Sequence, residues 1–437
     1  MQVVSRGLRP RQERFLAGSA FAFVHLVLVA FAAIAPNLPV GDVSILYRQW
    51  MEAGRTSGTW IGLSEPSVYP IVAVLPMLIA SIGGIAHFTL SWLVLMTVLD
   101  GVAMLLLWRS RALGVRVVWW WLAFLLLLGP IGIGRIDAVA TAVAMVGVVF
   151  ATARPAVASA LFTIGAWVKV WPAALVAALL VRARHRLGVI IGAVTVTAVV
   201  VAIDLVLGGG AYLLSFVSKQ AGRGLQIESA LATPFMWAAA LHLPTERVFY
   251  DHTILAYEVE GHGTGYAANV STPLMIALVA LIVVLTTIAV RRRFATERIA
   301  PVAALALVLT LIVANKVGSP QYVGWLAVPI VWGLISGRES ALRFRLPAVL
   351  ALATALLTQL IYPWFYGAVL GTAPAILLVL SARNVLEAIM LVGALVELVR
   401  MARYRTAPTS ARESAHAADT APASLSPKDR TAGTMDA

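Results

Sequence analysis

Apolar runs of ~20 residues alternate along the chain with short polar clusters, and only a bilayer accepts so many such runs. The pattern predicts helices at roughly 15–35, 88–108, 116–133, 136–152, 155–168, 172–184, 187–207, 271–291, 299–314, 321–336, 346–361 and 384–401. The expected class is an all-α polytopic membrane protein, a bundle of about 12 transmembrane helices (range 11–14) with two large outer loop regions, 36–87 and 208–270. Two of the spans, 155–168 and 172–184, are short and meet near Lys169–Pro172. At the N-terminus, Arg6, Arg9, Arg11 and Arg14 precede an apolar run from Phe15 to about Ala35. That run is long for a signal-peptide core and reads as a retained first helix. The division is therefore a basic cytoplasmic segment 1–14, a membrane domain 15–405, and a tail 406–437. The tail is rich in Ala, Ser, Thr, Pro and charge, a composition expected to stay disordered. No repeat with a solenoid period is evident.

The cations set the orientation. With the N-terminus inside, 24 Lys and Arg fall in segments assigned to the cytoplasm and nine outside, although the outer segments are longer in total. The inner clusters are Arg109, Arg111 and Arg116; Arg154; Arg182, Arg184 and Arg186; Arg291, Arg292, Arg293 and Arg298; and Arg338, Arg343 and Arg345. This fits the positive-inside rule. It also constrains 66–87 and 363–382: a full span at either place would flip every later loop. Both are expected to be re-entrant or surface-lying, or else true spans that raise the count to 13 or 14.

Composition agrees. The chain has 437 residues, 60% of them hydrophobic and 12% charged, about half the charge of a soluble domain; its mean hydropathy is +0.89. The net charge of +13 would suggest nucleic acid, but its arrangement in short clusters between apolar runs is that of topology signals. No nucleic-acid partner is expected. With no Cys, disulfides, thiolate metal sites and Cys nucleophiles are excluded. Arg outnumbers Lys 29 to 4, which suggests a high-GC bacterial genome.

Ionisable groups in or near a bilayer are costly and become functional candidates by default. Asp42, just after the first helix, reads either as a general base shielded by 66–87 or as a helix N-cap before Ile45-Leu46-Tyr47. Glu65 is a second outer carboxylate, or a solvated loop acid. Arg135 and Asp137, in Gly134-Arg135-Ile136-Asp137, form either an internal pair at a helix start or a sugar or phosphate contact. Lys169, in Trp167-Val168-Lys169-Val170-Trp171-Pro172, either snorkels to the interface or meets an anion. Lys219, Arg223 and Glu228 lie on an amphipathic outer stretch. It either binds lipid headgroups or clamps a phosphate, for which Arg offers a bidentate fork. His242, His252 and His262 lack metal-ligand spacing. Asn315-Lys316-Val317-Gly318-Ser319-Pro320-Gln321-Tyr322 is a polar break that reads as a capped turn or a phosphate site. Asp100, Asp204 and Glu397, inside apolar helices, are expected to pair or snorkel. No nucleotide-binding loop appears.

In order, these are an Asp after the first helix, Tyr69-Pro70, Gly134-x-x-Asp137, Lys169-x-x-Pro172, Arg223-Gly-Leu-Gln-Ile-Glu-Ser229 and Asn315-Lys-x-x-Ser-Pro-Gln-Tyr322. The series resembles glycosyltransferase family 87, the polyprenol-phosphate-mannose-dependent mannosyltransferases of actinobacterial type, over about residues 35–400. The resemblance implies a GT-C fold and an inverting, metal-independent, cofactor-free transfer on the extracytoplasmic face of the plasma membrane. The donor would be a polyprenyl-phosphate sugar, expected to be mannose, and the acceptor a lipid or glycan. Asp42 would match the family's catalytic Asp. Arg223, Lys169, Lys316 and Lys219 would bind the donor phosphate. Glu65, Tyr69, Arg135, Asp137, Gln226, Glu228, Gln321 and Tyr322 would shape the substrate site. Two motifs depart: the family's Glu-Tyr-Pro-Pro is here Glu65-Pro66-Ser67-Val68-Tyr69-Pro70, and its Gly-Gln-x-Asn is here Gly134-Arg135-Ile136-Asp137. The competing reading is a secondary transporter or lipid flippase, which ought to show two matching halves with broken helices; a third is a scaffold subunit of an envelope-assembly complex.

Overall fold

The structure, a computed structural model, describes residues 10–109, 114–181 and 186–403. The basic residues Arg6, Arg9, Arg111, Arg182 and Arg184 and the 406–437 tail lie outside the described residues. In chain order the helices are α1 (Pro10–Ile34), α2 (Arg48–Ser57), α3 (Val74–Ala80), α4 (Phe88–Arg109), α5 (Gly114–Leu128), α6 (Ile136–Phe150), α7 (Pro155–Val168), α8 (Ala173–Leu179), α9 (Arg186–Val206), α10 (Ser215–Ala221) and α11 (Thr233–Ala240). A hairpin, β1 (Arg247–Asp251) and β2 (Ala256–Glu260), follows. After it come α12 (Thr264–Arg291), α13 (Thr296–Val313), α14 (Ala327–Ile335), α15 (Arg338–Arg343), α16 (Arg345–Gln359), α17 (Tyr366–Leu370) and α18 (Pro374–Arg403).

Every apolar run expected to be helical is helical. Among the described residues seven helices have the length and hydropathy to cross a membrane: Gln12–Ile34, Ile85–Arg109, Arg186–Val206, Thr264–Arg291, Thr296–Val313, Arg345–Trp364 and Pro374–Arg403. Four further expected spans are shorter apolar helices: Arg116–Gly132, Ile136–Phe150, Pro155–Val168 and Pro320–Ile335. In the described part of the run at 172–184 the helix is α8, seven residues long. The short ones sit inside the bundle. In α6 ten of the 15 residues are buried, so it packs on protein rather than lipid all round.

The expectation needs three corrections. The run at 271–291 starts earlier, at Thr264, and the 28 residues of α12 measure about 42 Å. This exceeds a ~30 Å hydrocarbon core by about two turns. The last helix begins at Pro374, so much of 363–382 belongs to α18 instead of a re-entrant segment. Third, the outer segment 208–270 carries an antiparallel hairpin with Tyr250 opposite Tyr257, a small departure from all-α. The 66–87 segment breaks into the turn Ile71–Ala73, the short α3 and the turn Ile85–His87, none long enough to span.

Small residues set helix spacing. A Cβ on Gly192 of α9 would stand 2.4 Å from the Ala156 carbonyl oxygen of α7, so the two backbones meet only because the residue is Gly. The ion pairs Arg298–Glu339 and Arg343–Glu397, with Arg400 at 3.6 Å from Glu397, tie α13, α15 and α18 together at the end assigned to the cytoplasm. Inside the bundle His25 meets Asp100 at 3.2 Å. Asp204 is buried and its carboxylate has no hydrogen-bond partner, so of the three intramembrane acids only Asp100 and Glu397 pair.

Candidate active site

At the other end of the bundle the chain turns sharply after α1. Asn37 and Leu38 both have positive φ, 61° and 50°, a conformation costly for Leu. The turn is clamped from across the molecule. The Asn37 amide donates to the Pro363 carbonyl at 2.7 Å, and the Tyr362 hydroxyl donates to the Asn37 carbonyl at 2.9 Å. Asp42 follows, the first residue of the wide π-helical turn Asp42–Tyr47. Gly41 holds the cap position and no side chain caps this turn, so the N-cap role expected as one alternative for Asp42 is not the one it plays.

Asp42 pairs instead with Arg135, whose guanidinium also donates to Tyr362 at 3.2 Å. The carboxylate side chain is 31% accessible and that of Arg135 only 11%, so the open side of the pair is the carboxylate. Burial opposes the charge on Arg135, but Asp42 and the surrounding Tyr362, Tyr47 and Tyr69 outweigh it and hold its pKa above the usual value. The internal Arg135–Asp137 pair expected as one alternative does not form. Asp137 turns the other way, accepting from the Trp325 indole at 2.8 Å and facing the Lys169 ammonium at 3.6 Å.

Lys169 ends α7 in an extended conformation and does not snorkel. Its ammonium lies 4.6 Å from the centre of the Tyr69 ring and 5.8 Å from that of Tyr322, within cation–π range. Tyr69 in turn meets Tyr47, whose hydroxyl donates to it at 3.4 Å and accepts from the Ile136 amide at 3.3 Å. Burial, then the charge of Asp42, pushes the Tyr69 phenol up, so it stays neutral. Asp42 and Lys169 thus both act on the same tyrosine.

A second group of residues comes from the 222–229 loop and the 315–320 turn. The Gln226 amide donates to the Lys316 carbonyl at 3.0 Å. Arg223 is half-buried, and its Nε is buried without a hydrogen-bond partner. Arg223 and Lys316 both act on the Glu258 carboxyl, and Arg223 and Asp137 both act on the Tyr322 hydroxyl. Arg223 thus stands between the two: Tyr322, which Lys169 also faces, and Glu258, which Lys316 also faces. Gln321, half-buried, shares a small cavity with Asp137. Gly318 packs face to face with the loop: a Cβ there would lie 2.1 Å from the Ser229 amide nitrogen. Gly318→Ala is expected to pry the two segments apart and cost turnover on the order of 10²-fold, a kinetic measurement that also reports on Lys316 placement.

Glu228 is held from behind by α18. The Arg383 guanidinium donates to the Glu228 carbonyl at 2.6 Å and faces its carboxylate at 3.6 Å. Burial pushes the Glu228 carboxyl up to about 7, with Arg383 and Arg135 pulling down and Glu387 pushing up. A carboxyl favoured in its protonated form by the fold contributes stability that is present at low pH and lost as pH rises from about 4.5 through about 7. Melting temperature across that window is expected to fall less in Glu228→Gln than in the unsubstituted protein.

Two expected site residues are not brought in. Lys219 is exposed on α10, and nothing among the described contacts ties it to the cluster. Glu65 is exposed at a turn and contributes only its carbonyl, which accepts from Gly62 at 2.8 Å. Residues not singled out from the sequence enter in their place: Tyr47, Tyr362, Tyr366, Asn37 and Arg383. Only the Tyr362-Pro363 pair, placed after a long apolar run, could have hinted at them.

A polytopic membrane protein with carboxylates, cations and phenols gathered at one end of its helices is built to handle a polar group at a membrane surface. The family model of glycosyltransferase family 87 matches residues 68–320, and the chain belongs to that family. It is a membrane glycosyltransferase. The match starts after Asp42 and ends before Tyr362 and Arg383. No curated protein and no solved structure gives a match.

Proposed function

We propose that this chain transfers a sugar, expected to be mannose, from a polyprenyl-phosphate donor to a lipid- or glycan-linked hydroxyl on the extracytoplasmic face, with inversion and without a metal or cofactor. The observation that carries the reading is an accessible carboxylate, Asp42, linked through Tyr69 to Lys169 and onward through Tyr322 and Glu258 to Arg223 and Lys316. The acceptor oxygen attacks the anomeric carbon, and its bond to the phosphate oxygen breaks. Asp42 takes the acceptor proton. The electron pair leaves with the phosphate, where the charge develops and the cations stabilise it. Arg223 fits that role best, because its buried Nε has no protein partner and a phosphate oxygen can supply one. Arg135 orients the base, and neutral Tyr47 and Tyr69 line the floor.

The test is transfer by purified protein, with a chelator present, from a panel of polyprenyl-phosphate sugars, with the anomeric configuration of the product read by NMR. Transfer with inversion is expected. Turnover with a nucleotide sugar and none with any polyprenyl-phosphate donor would overturn the reading.

A further inference from the structure

Four tyrosine rings form a continuous edge-to-face file from the exposed hairpin to the Asp42–Arg135 pair. Tyr250 on β1 and Tyr257 opposite it on β2 have centroids 4.9 Å apart. Tyr257 and Tyr366 are 5.9 Å apart, and Tyr366 and Tyr362 are 5.1 Å apart. Tyr362 accepts from Arg135, the partner of Asp42. The outer end is open: Tyr250 is 37% exposed, and beside it stand exposed His252 and half-buried Asp251, whose carboxylate is fixed by the Thr253 amide at 2.7 Å.

The hairpin is also bolted to the site. The Val259 amide donates to the Leu225 carbonyl at 2.9 Å, the Ile227 amide to the Tyr257 carbonyl at 3.3 Å, and the Gly224 amide to the Glu258 carboxylate at 2.8 Å. A surface that only had to cover the protein would not need this registration with the 222–229 loop. Aromatic rings offer a flat apolar face to the axial C–H groups of a pyranose, and flanking carboxylates and imidazoles take its hydroxyls. Charged Arg247 and Glu260 pair on the same hairpin, which is unlike the apolar setting of an interfacial tyrosine belt.

We propose that the Tyr250–Tyr257–Tyr366 file is an acceptor track for a glycan of several units, leading its terminal hydroxyl to Asp42. This rests on the transferase reading above and adds to it that the acceptor is an extended carbohydrate, gripped at a distance from the reacting hydroxyl.

The test is equilibrium binding of linear mannose oligomers of one to four units to the full-length protein in detergent, in the absence of donor. Affinity is expected to rise with length, and Tyr250→Ala to lose roughly threefold to tenfold for the longest oligomers with no change for the single sugar. Tyr250→Phe keeps the ring and should bind as the unsubstituted protein does. Affinity independent of length, or an equal loss at every length, would overturn the track. Leu255 is exposed at the hairpin turn, so vesicles of zwitterionic lipid form a second arm. If Tyr250→Ala weakens vesicle binding and leaves oligomer binding intact, the file is a membrane contact and the proposal fails. Because no donor is used, this failure is separate from that of the transfer assay.

Discussion

Turnover of Asp42→Asn is expected to fall by about 10²- to 10⁴-fold, with the melting temperature and donor KM close to those of the unsubstituted protein. Asn has the shape of Asp, and its amide oxygen can still accept from Arg135, so the Asn37–Asp42 turn keeps its clamp. What the amide cannot do is take a proton from the attacking hydroxyl. The partial exposure of the Asp42 side chain, 31%, makes the change tolerable, because water can meet the face of the new amide that Arg135 does not cover. Steady-state kinetics and a detergent melt, run together, separate the roles. A variant that melts normally but does not turn over identifies the base. A variant that turns over at the original rate removes Asp42 from the chemistry and points to Asp137 or Glu258, the other carboxylates of the cluster. A variant that fails to fold shows that the Arg135 pair is structural, and Asp42→Glu, which retains a carboxylate, would then be the informative change.

Much of the fold was legible because lipid imposes it. A run such as Phe15–Ala35 has to be a helix, since a bilayer offers the backbone no other partner. The gathering of the candidate residues at one end agrees with the asymmetry of the cations: Arg298 and Arg343 pair at one end of α13 and α18, while Lys316 and Arg383 lie toward the other. Which residues meet was not legible. Arg135 and Asp137 are two apart and invite pairing, yet a residue in extended conformation followed by a helix start sends the two side chains apart, Arg135 to Asp42 and Asp137 to Lys169. The clamp on Asp42 spans more than three hundred positions, from Asn37 to Tyr362 and Pro363, and no local pattern encodes that contact. Glu65 is the reverse case: a carboxylate near Tyr69 in sequence stays in solvent, at a turn where only its backbone is engaged.

Arg383→Met is expected to cost about 3–5 kcal/mol of stability, the scale for removing one partner of a buried charge cluster. Arg383 is 2% exposed, Glu228 4% and Glu387 2%, so water cannot replace the guanidinium. Methionine fills the volume but leaves two carboxylates facing each other and strands the Glu228 carbonyl, which now accepts at 2.6 Å. The next residue, Asn384, donates to Thr233 at 2.8 Å, so the same stretch of α18 holds both ends of the 228–233 segment. Loosening it frees the loop whose Gln226 amide fixes Lys316, and turnover should fall with stability. Glu228→Gln in the Arg383→Met background removes one of the two stranded carboxylates and should restore part of the loss, a coupling of ~1–3 kcal/mol in a double-mutant cycle of detergent melts. Additive losses would mean that the two side chains do not act as a pair. A melt of Arg383→Met indistinguishable from the original would mean that the cluster carries no net charge to neutralise, and the hold of α18 on the site would then rest on Asn384 alone.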